Sequence, residues 1–153
     1  MLKRAAAIIA LLALAPLTRA DDAEVKWQWR VEPAQPTVGG EAQLVFSADL
    51  PAGYILYASD FKAELGPRPA RITFDANDTV EVQGPLAAVK SQRRTDKTFG
   101  TEYSYFAERA EFRQTIRVLK PGATVSGRID AQTCQEKDGL CTLLKEPFAI
   151  RLN

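Results

Sequence analysis

The chain has 153 residues, among them 20 basic and 19 acidic residues, two cysteines and no histidine. The lack of histidine removes the usual general base, the Ser-His and Cys-His nucleophile pairs and the commonest zinc ligand, which argues against most hydrolase and zinc-site chemistry. The nearly balanced charge provides no basic field to recruit nucleic acid or an anionic membrane. Thiol-disulfide exchange remains open, because it needs only a thiolate and a disulfide in contact.

The N-terminal segment has the three-part pattern of a cleaved secretory signal. A charged start at Lys3 and Arg4 precedes an apolar run over residues 5–15, and small residues at Thr18 and Ala20 complete the pattern. The run is shorter than the roughly 20 apolar residues that span a bilayer. We therefore expect export and cleavage, a soluble mature protein and no insertion into a membrane.

Removal of residues 1–20 leaves residues 21–153 as a single expected domain. This domain keeps 17 basic and 19 acidic residues, a net charge of −2. Its length suffices to bury about two-thirds of the surface that the unfolded chain exposes. It need not depend on a disulfide to fold, although outside the cytoplasm its cysteines can form one.

The remainder of the chain is patterned for strands. Apolar residues repeat with period two, in short runs separated by glycine and proline. No segment has convincing helical periodicity, and no repeat or linker divides the chain. Roughly eight or nine short strands at this spacing predict an all-β, immunoglobulin-like β-sandwich. The runs lie at Trp27–Trp29, Ala42–Phe46, Tyr54–Tyr57, Ile72–Phe74, Val80–Val82, Tyr103–Tyr105, Phe112–Val118, Val125–Ala131 and Phe148–Leu152.

Residues 83–100 interrupt the strand pattern. They contain a polar run at residues 92–97 and one aromatic residue, Phe99. We predict that this segment is a long exposed loop.

The two cysteines, Cys134 and Cys141, bracket a turn that contains the hairpin-forming pair Asp138-Gly139. They are therefore expected on neighbouring strands near a hairpin tip. One interpretation is a permanent clasp, whose eight-residue ring would contribute roughly 2.5 kcal/mol. The other is exchange with a partner's thiolate, which requires an accessible sulfur. Because the turn already holds the two strands together, we favour exchange.

Charged residues between the cysteines predict thiols of modest reactivity. Glu136 and Asp138 disfavour a thiolate, and Lys137 offsets part of their effect. We therefore expect reactivity to depend on a docked partner.

Three stretches of the chain, at residues 53–57, 96–105 and 134–141, resemble the N-terminal periplasmic domain of the thiol:disulfide interchange protein DsbD family. The likeness extends from about Trp27 to Leu152. It implies an immunoglobulin-like sandwich in the periplasm that carries one redox-active cysteine pair.

The resemblance also implies roles for individual residues. Cys141 would form the mixed disulfide with a partner, and Cys134 would resolve it. The segment from Asp96 to Gly100 resembles a cap loop that shields the sulfurs, with Phe99 as the candidate shield. Tyr54 and Tyr57 resemble aromatic residues that line the site. Packing alone is the alternative role for Phe99 and both tyrosines.

The implied partners are a thioredoxin-like electron donor or a DsbD-type membrane reductase, and periplasmic disulfide isomerases or other thiol proteins as acceptors. Because the chain has neither a transmembrane hub nor a thioredoxin-like domain, we expect electrons from a separate protein. We expect no cofactor and no metal, since two cysteines with only Met1 as a thioether make a poor site. The alternative function is a non-enzymatic immunoglobulin-like binding module with a structural disulfide, which recruits a partner through a sheet edge or the 83–100 loop.

Overall fold

The computed structural model describes residues 24–62, 64–98 and 100–152. The predicted signal segment and Phe99 lie outside the described residues. Within these ranges the chain forms ten strands and no helix. The described residues therefore include no helix that is long and apolar enough to cross a membrane. The strands are β1 (Lys26–Glu32), β2 (Glu41–Asp49), β3 (Tyr54–Tyr57), β4 (Arg71–Phe74), β5 (Val80–Ala88), β6 (Gln92–Thr95), β7 (Glu102–Ala107), β8 (Arg109–Val118), β9 (Thr124–Gln135) and β10 (Cys141–Arg151).

The strands form two antiparallel sheets. One has four strands in the order β1-β2-β8-β5; the other has six, with β10-β9-β3-β7-β6 in order and β4 paired with β9. Their apolar faces pack together in one core, which confirms the predicted all-β sandwich. Fully buried members of this core include Leu44, Phe46, Phe112, Ile116, Leu56, Val125 and Ile129.

Strands β3 and β4 pair with the same strand, β9, at different positions along it. Strand β3 pairs with residues 133–135, near the cysteine hairpin, and β4 pairs with residues 127–130. Gly127 permits the approach of β4, because a Cβ atom at this position would collide with the backbone carbonyl of Thr73. The segment between β3 and β4 therefore lies beside the end of β9 that carries Cys134.

The prediction of a long loop over residues 83–100 is wrong. Strand β5 continues to Ala88, and β6 occupies residues 92–95. A register shift between Gln83 and Ala87 disrupts the period-two pattern. The buried side-chain amide of Gln114 donates hydrogen bonds to the backbone carbonyls of Gln83 and Gly84 in the shifted segment, at 2.9 and 3.1 Å. Strand β6 carries four exposed polar residues, so it has no apolar pattern to reveal it.

Candidate functional site

The cysteines lie opposite each other at the tip of the β9–β10 hairpin. Cys134 and Cys141 are direct partners in the strand register and are joined by a disulfide. The turn between them contains Gly139 at a φ of 72°, a conformation that glycine adopts without steric cost. The Gln135 N–H donates to the Leu140 carbonyl at 2.8 Å, and the Gly139 N–H donates to the Gln135 carbonyl at 2.9 Å. The predicted hairpin is confirmed.

The disulfide lies on the outer face of the six-stranded sheet, away from the sandwich core. Along β9, Ile129 and Ala131 face the core, whereas Cys134 belongs to a separate small apolar cluster. Because side chains alternate along a strand, the even-numbered position 134 is on the opposite face from 129 and 131. The other buried members of this outer cluster are Ile55, Tyr57, Tyr103 and Tyr105, with Phe61 and Ala107 packed against them.

The two sulfur-bearing side chains differ in exposure. Cys134 is 4% exposed and packs in the outer cluster, whereas Cys141 is exposed at the start of β10. Access, which exchange requires, is therefore a property of Cys141 and not of both cysteines.

Tyr57 is the aromatic residue that contacts the buried sulfur. Its hydroxyl oxygen lies 3.7 Å from the Cys134 Sγ. Burial is the main cause of a raised Tyr57 pKa; electrostatic interactions with Tyr103 and Asp96 raise this pKa further, and Arg94 opposes them. The hydroxyl therefore stays protonated at neutral pH and remains a hydrogen-bond donor beside the sulfur.

Arg94, on β6, connects the opposite edge of the six-stranded sheet to the cysteine hairpin. Its guanidinium donates to Glu136 Oε1 at 3.0 Å and to the Tyr105 hydroxyl at 2.9 Å, and it lies 4.5 Å from the centre of the Tyr105 ring. The hydrogen bond with Glu136 is the main cause of a raised Arg94 pKa. The pairing places a positive charge beside Glu136, which offsets the acidity that the sequence indicates around the thiols. Sequence analysis placed Arg94 in an exposed loop and missed this role.

Asp96 begins the turn that leads from β6 to β7. Its N–H donates to the Thr101 carbonyl, its carbonyl accepts from the Gly100 N–H, and its Oδ1 accepts from the Thr98 N–H, each at 2.8 Å. Asp96 and Thr98 also line the cavity that contains the disulfide. The predicted cap segment is therefore next to the cysteines, although its candidate shield, Phe99, is outside the described residues.

An open cavity of about 610 Å³ surrounds the disulfide. Its walls come from β3, from the segment before β4, from the β6–β7 turn and from the cysteine hairpin. The lining residues are Ile55, Tyr57, Gly66, Pro67, Arg94, Asp96, Thr98, Gln132, Cys134, Gln135, Glu136, Gly139 and Cys141. These four parts of the chain therefore enclose an open space beside the sulfurs, which a partner's segment can enter.

Tyr54 does not line this cavity. Tyr54 pairs through its backbone with Gln135. Because side chains alternate along a strand, the Tyr54 side chain lies on the opposite face of β3 from those of Ile55 and Tyr57. The structure brings Cys134, Cys141, Tyr57 and Asp96 together and leaves Tyr54 on the other face of β3. Sequence proximity alone does not separate the two tyrosines.

The site has no donor set for a metal. Across residues 24–62, 64–98 and 100–152, no three His, Cys, Asp or Glu side chains converge in a way that could hold an ion.

The site is an outward-facing disulfide on an immunoglobulin-like sandwich, with one buried and one exposed cysteine, and this arrangement fits a domain of the thiol-disulfide exchange class. The family model described as "Thiol:disulfide interchange protein DsbD, N-terminal" matches residues 19–150. The chain therefore belongs to this family, and the resemblance inferred from the sequence is confirmed. No curated protein matches the chain.

Solved structures share the fold at low sequence identity. The reduced DsbD N-terminal domain of Neisseria meningitidis has a TM-score of 0.51 and 16% identity, with 71% of this chain and 75% of that chain covered. The N-terminal periplasmic domain of ScsB from Proteus mirabilis has a TM-score of 0.56 and 14% identity, with 87% and 47% covered. A complex between the neisserial DsbD and PilB N-terminal domains has a TM-score of 0.50 and 13% identity, with 88% of each chain covered. These likenesses confirm the immunoglobulin-like fold.

Proposed function

We propose that the chain is a periplasmic thiol-disulfide exchange domain that passes reducing equivalents to disulfide proteins through Cys134 and Cys141. The electrons come from a thioredoxin-like donor or a DsbD-type membrane reductase. The acceptors are periplasmic disulfide isomerases or other thiol proteins. Family membership supports the class of reaction, and the predicted secretory signal supports the compartment.

The unequal exposure of the two cysteines is the observation that carries this proposal. The reduced Cys141 thiolate attacks one sulfur of the partner's disulfide, and the partner's other sulfur leaves as a thiolate that takes up a proton. Cys134 then attacks the Cys141 sulfur, restores the internal disulfide and releases the partner's second thiol. Exposure suits Cys141 to the first step, and burial next to Cys141 suits Cys134 to the second.

The neisserial complex supports the choice of partner class. In that structure a DsbD N-terminal domain binds a PilB N-terminal domain. We propose by analogy that this chain docks another folded domain over its exposed cysteine, and that the cap segment at Asp96 contacts the docked domain.

Single-cysteine variants test the assignment. Reduced Cys134→Ser is expected to accumulate a mixed disulfide with glutathione on mixing with glutathione disulfide, because no resolving thiol remains. Cys141→Ser is expected to react at least about tenfold more slowly, since its remaining thiol is buried. Mass spectrometry of quenched samples measures both rates. Equal rates in the two variants would contradict the assigned roles.

The reduction potential tests whether the disulfide exchanges with partners or is a permanent structural clasp. Equilibration of the mature protein with dithiothreitol buffers is expected to yield a reversible couple between about −200 and −270 mV, in the range of exchange proteins. A potential below about −300 mV would instead indicate a structural disulfide. That outcome would favour a binding module in place of an exchange protein.

A further inference from the structure

A second groove lies beside the cysteine cavity on the same side of the molecule. It has a volume of about 610 Å³ and runs between residues 64–69 and strands β4, β9 and β10. Gly66 and Pro67 line both spaces, so the groove is continuous with the cavity that contains the disulfide. We call it the flank groove.

Exposed apolar side chains lie along the flank groove. Leu65 is 69% exposed on one wall and Leu143 is 52% exposed on the other. Large exposed hydrophobic side chains that share a groove indicate an interaction site more strongly than isolated ones do. The flank groove therefore offers apolar contacts on both sides of any chain that enters it.

The charge of the flank groove is positive. Arg68, Arg71 and Lys145 line it, and none of the three forms a salt bridge with any other described residue. The acidic residue Asp130 forms a salt bridge at 2.8 Å with a cation outside the groove, Arg128, and has a weaker electrostatic interaction with Lys145, its partner in the strand register. Glu64 is the other acidic residue in the lining. The excess of cations favours a ligand segment with negative charge.

The distances along β10 relate the flank groove to the reactive sulfur. Leu143 and Lys145 follow Cys141 by two and four residues, on the same face of the strand. At the rise of an extended strand they lie roughly 7 and 13 Å from Cys141. An extended peptide joined to Cys141 by a disulfide would place its own residues at these same intervals.

We propose that the flank groove binds the extended segment next to the partner's reactive cysteine, with an apolar side chain about two residues and an acidic side chain about four residues from that cysteine. This specificity rests on the proposed exchange function. The partner's disulfide is reduced as described above, by attack of Cys141 and resolution by Cys134, and the groove changes only the rate at which a matching substrate is captured.

Synthetic peptides test the specificity. Each contains one cysteine joined to 2-mercaptoethanol by a disulfide, a leucine two residues away and, four residues away, either glutamate or lysine. The pair is made once with these residues before the cysteine and once with them after it. Reduced wild-type protein is expected to react about tenfold faster with the glutamate peptide in at least one of the two arrangements, and added salt is expected to diminish the difference.

Matched variants locate the effect. Arg71→Gln/Lys145→Gln is expected to remove most of the preference for glutamate. Lys26→Gln/Arg151→Gln is the control with the same change in charge, and it should retain the preference. Lys26 is on the other sheet, and Arg151 is on β10 but ten residues beyond Cys141.

A small neutral substrate separates failure of the groove from failure of the proposed function. Failure of the reduced wild-type protein to react with 2-hydroxyethyl disulfide and with every peptide would overturn the exchange function itself. Normal reaction with that compound, together with equal rates for glutamate and lysine peptides, would overturn the flank groove alone. Retention of the glutamate preference by Arg71→Gln/Lys145→Gln would also overturn it. Each variant is required to reduce 2-hydroxyethyl disulfide at the wild-type rate, and the salt dependence of the wild-type protein tests the proposal independently of the variants.

Discussion

Cys134 and Cys141 share one covalent bond but have different surroundings. Cys134 is buried beside the hydroxyl of Tyr57, and Cys141 is exposed at the hairpin tip. The two residues hold equivalent positions in the hairpin. Because a thiolate must reach its target to react, their difference in access is expected to give the two thiols different reactivities. The polar neighbours of the buried sulfur are the Tyr57 hydroxyl, at 3.7 Å, and the Gln132 amide nitrogen, at 4.0 Å.

Tyr57→Phe is expected to slow resolution of a mixed disulfide by roughly fivefold, from the loss of about 1 kcal/mol of hydrogen bonding to the Cys134 thiolate. Burial raises the Tyr57 pKa, so the donor is present throughout the neutral range. Rapid mixing of reduced protein with glutathione disulfide, followed by acid quenching, measures the lifetime of the mixed disulfide.

Tyr103→Phe is the control for this prediction. Tyr103 packs against Tyr57 in the outer cluster, with ring centres 5.2 Å apart, but its substitution leaves the hydroxyl beside Cys134 in place. Equal slowing in the two variants would show that Tyr57 acts through packing. An unchanged rate in Tyr57→Phe would contradict the proposed hydrogen bond.

At the scale of elements, strand β6 and the cysteine hairpin meet through the ion pair between Arg94 and Glu136. The pair joins the edge of the sheet next to the Asp96 turn to the turn that carries the cysteines. Both side chains are about half exposed, so the pair contributes little to global stability. The pair is instead expected to hold the turn of the cysteine hairpin in place, which limits access to the sulfurs.

Glu136→Gln is expected to increase the rate at which dithiothreitol reduces the disulfide by about two- to fivefold, because the weakened ion pair lets the cavity open more often. The free energy of unfolding is expected to change by less than about 1 kcal/mol. Free-thiol assays over time measure the rate, and urea titration measures the stability.

Glu102→Gln is the matched control, on the β6–β7 hairpin that also carries Arg94. Glu102 pairs with Arg93 of β6 at 2.8 Å, so this variant removes a similar exposed ion pair that does not involve the cysteine turn. An acceleration of the same size in Glu102→Gln would assign the effect to general loosening of β6. No acceleration in Glu136→Gln would show that the ion pair does not limit access.

At the scale of the whole molecule, the fold has sources of stability other than the disulfide. Eleven residue pairs join β9 to β10, and β3 and β4 pair with the other edge of β9. The main core lies on the opposite face of the sheet from the sulfurs. The oxidised and reduced forms are therefore expected to share one fold.

Cys134→Ser/Cys141→Ser is expected to remain folded at 25 °C, with a loss of at most roughly 2.5 kcal/mol in the free energy of unfolding. Circular dichroism during urea titration measures the transition. Reduced wild-type protein serves as the control that lacks the bond but keeps both cysteines. Absence of a cooperative transition in both samples would identify the disulfide as a structural clasp.

Acid is expected to destabilise the protein partly through exposed ion pairs. Arg30 and Arg113 lower the pKa of Glu32, Lys120 lowers that of Asp78, and Arg128 lowers that of Asp130. A lowered pKa in the folded state contributes stability that is complete above the unfolded value of about 4 and is lost as pH falls through the folded value.

Glu32→Gln/Asp130→Asn is therefore expected to flatten the fall in stability below about pH 4. Urea midpoints measured from pH 7 to pH 2 test the change in slope. Glu81→Gln is the control, since Glu81 forms no salt bridge with the other described residues. An unchanged acid slope in the double variant would contradict the assigned ion pairs.

Prediction from sequence succeeded where structure depends on near neighbours along the chain. The Asp138-Gly139 pair indicated the hairpin, and period-two patterning indicated strands such as β8 and β9. It failed over residues 83–100, where a register shift breaks the pattern of β5 and an all-polar β6 has none. Strand β6 forms because its backbone pairs with β7, a partner that its own residues do not specify.

Local periodicity, turn chemistry and the order of the motifs were enough to predict the all-β class, the hairpin that sets Cys134 opposite Cys141 and the family likeness. Three features of the site come instead from contacts between distant parts of the chain: Tyr57 and not Tyr54 lies beside the sulfur, Cys134 is buried, and Arg94 reaches Glu136. Tyr57 and Cys134 are 77 positions apart in the chain, and their contact depends on the pairing of β3 with β9. A shift of that pairing by one residue would turn the other face of β3 toward the cysteines, so the site depends on a register that local sequence does not encode.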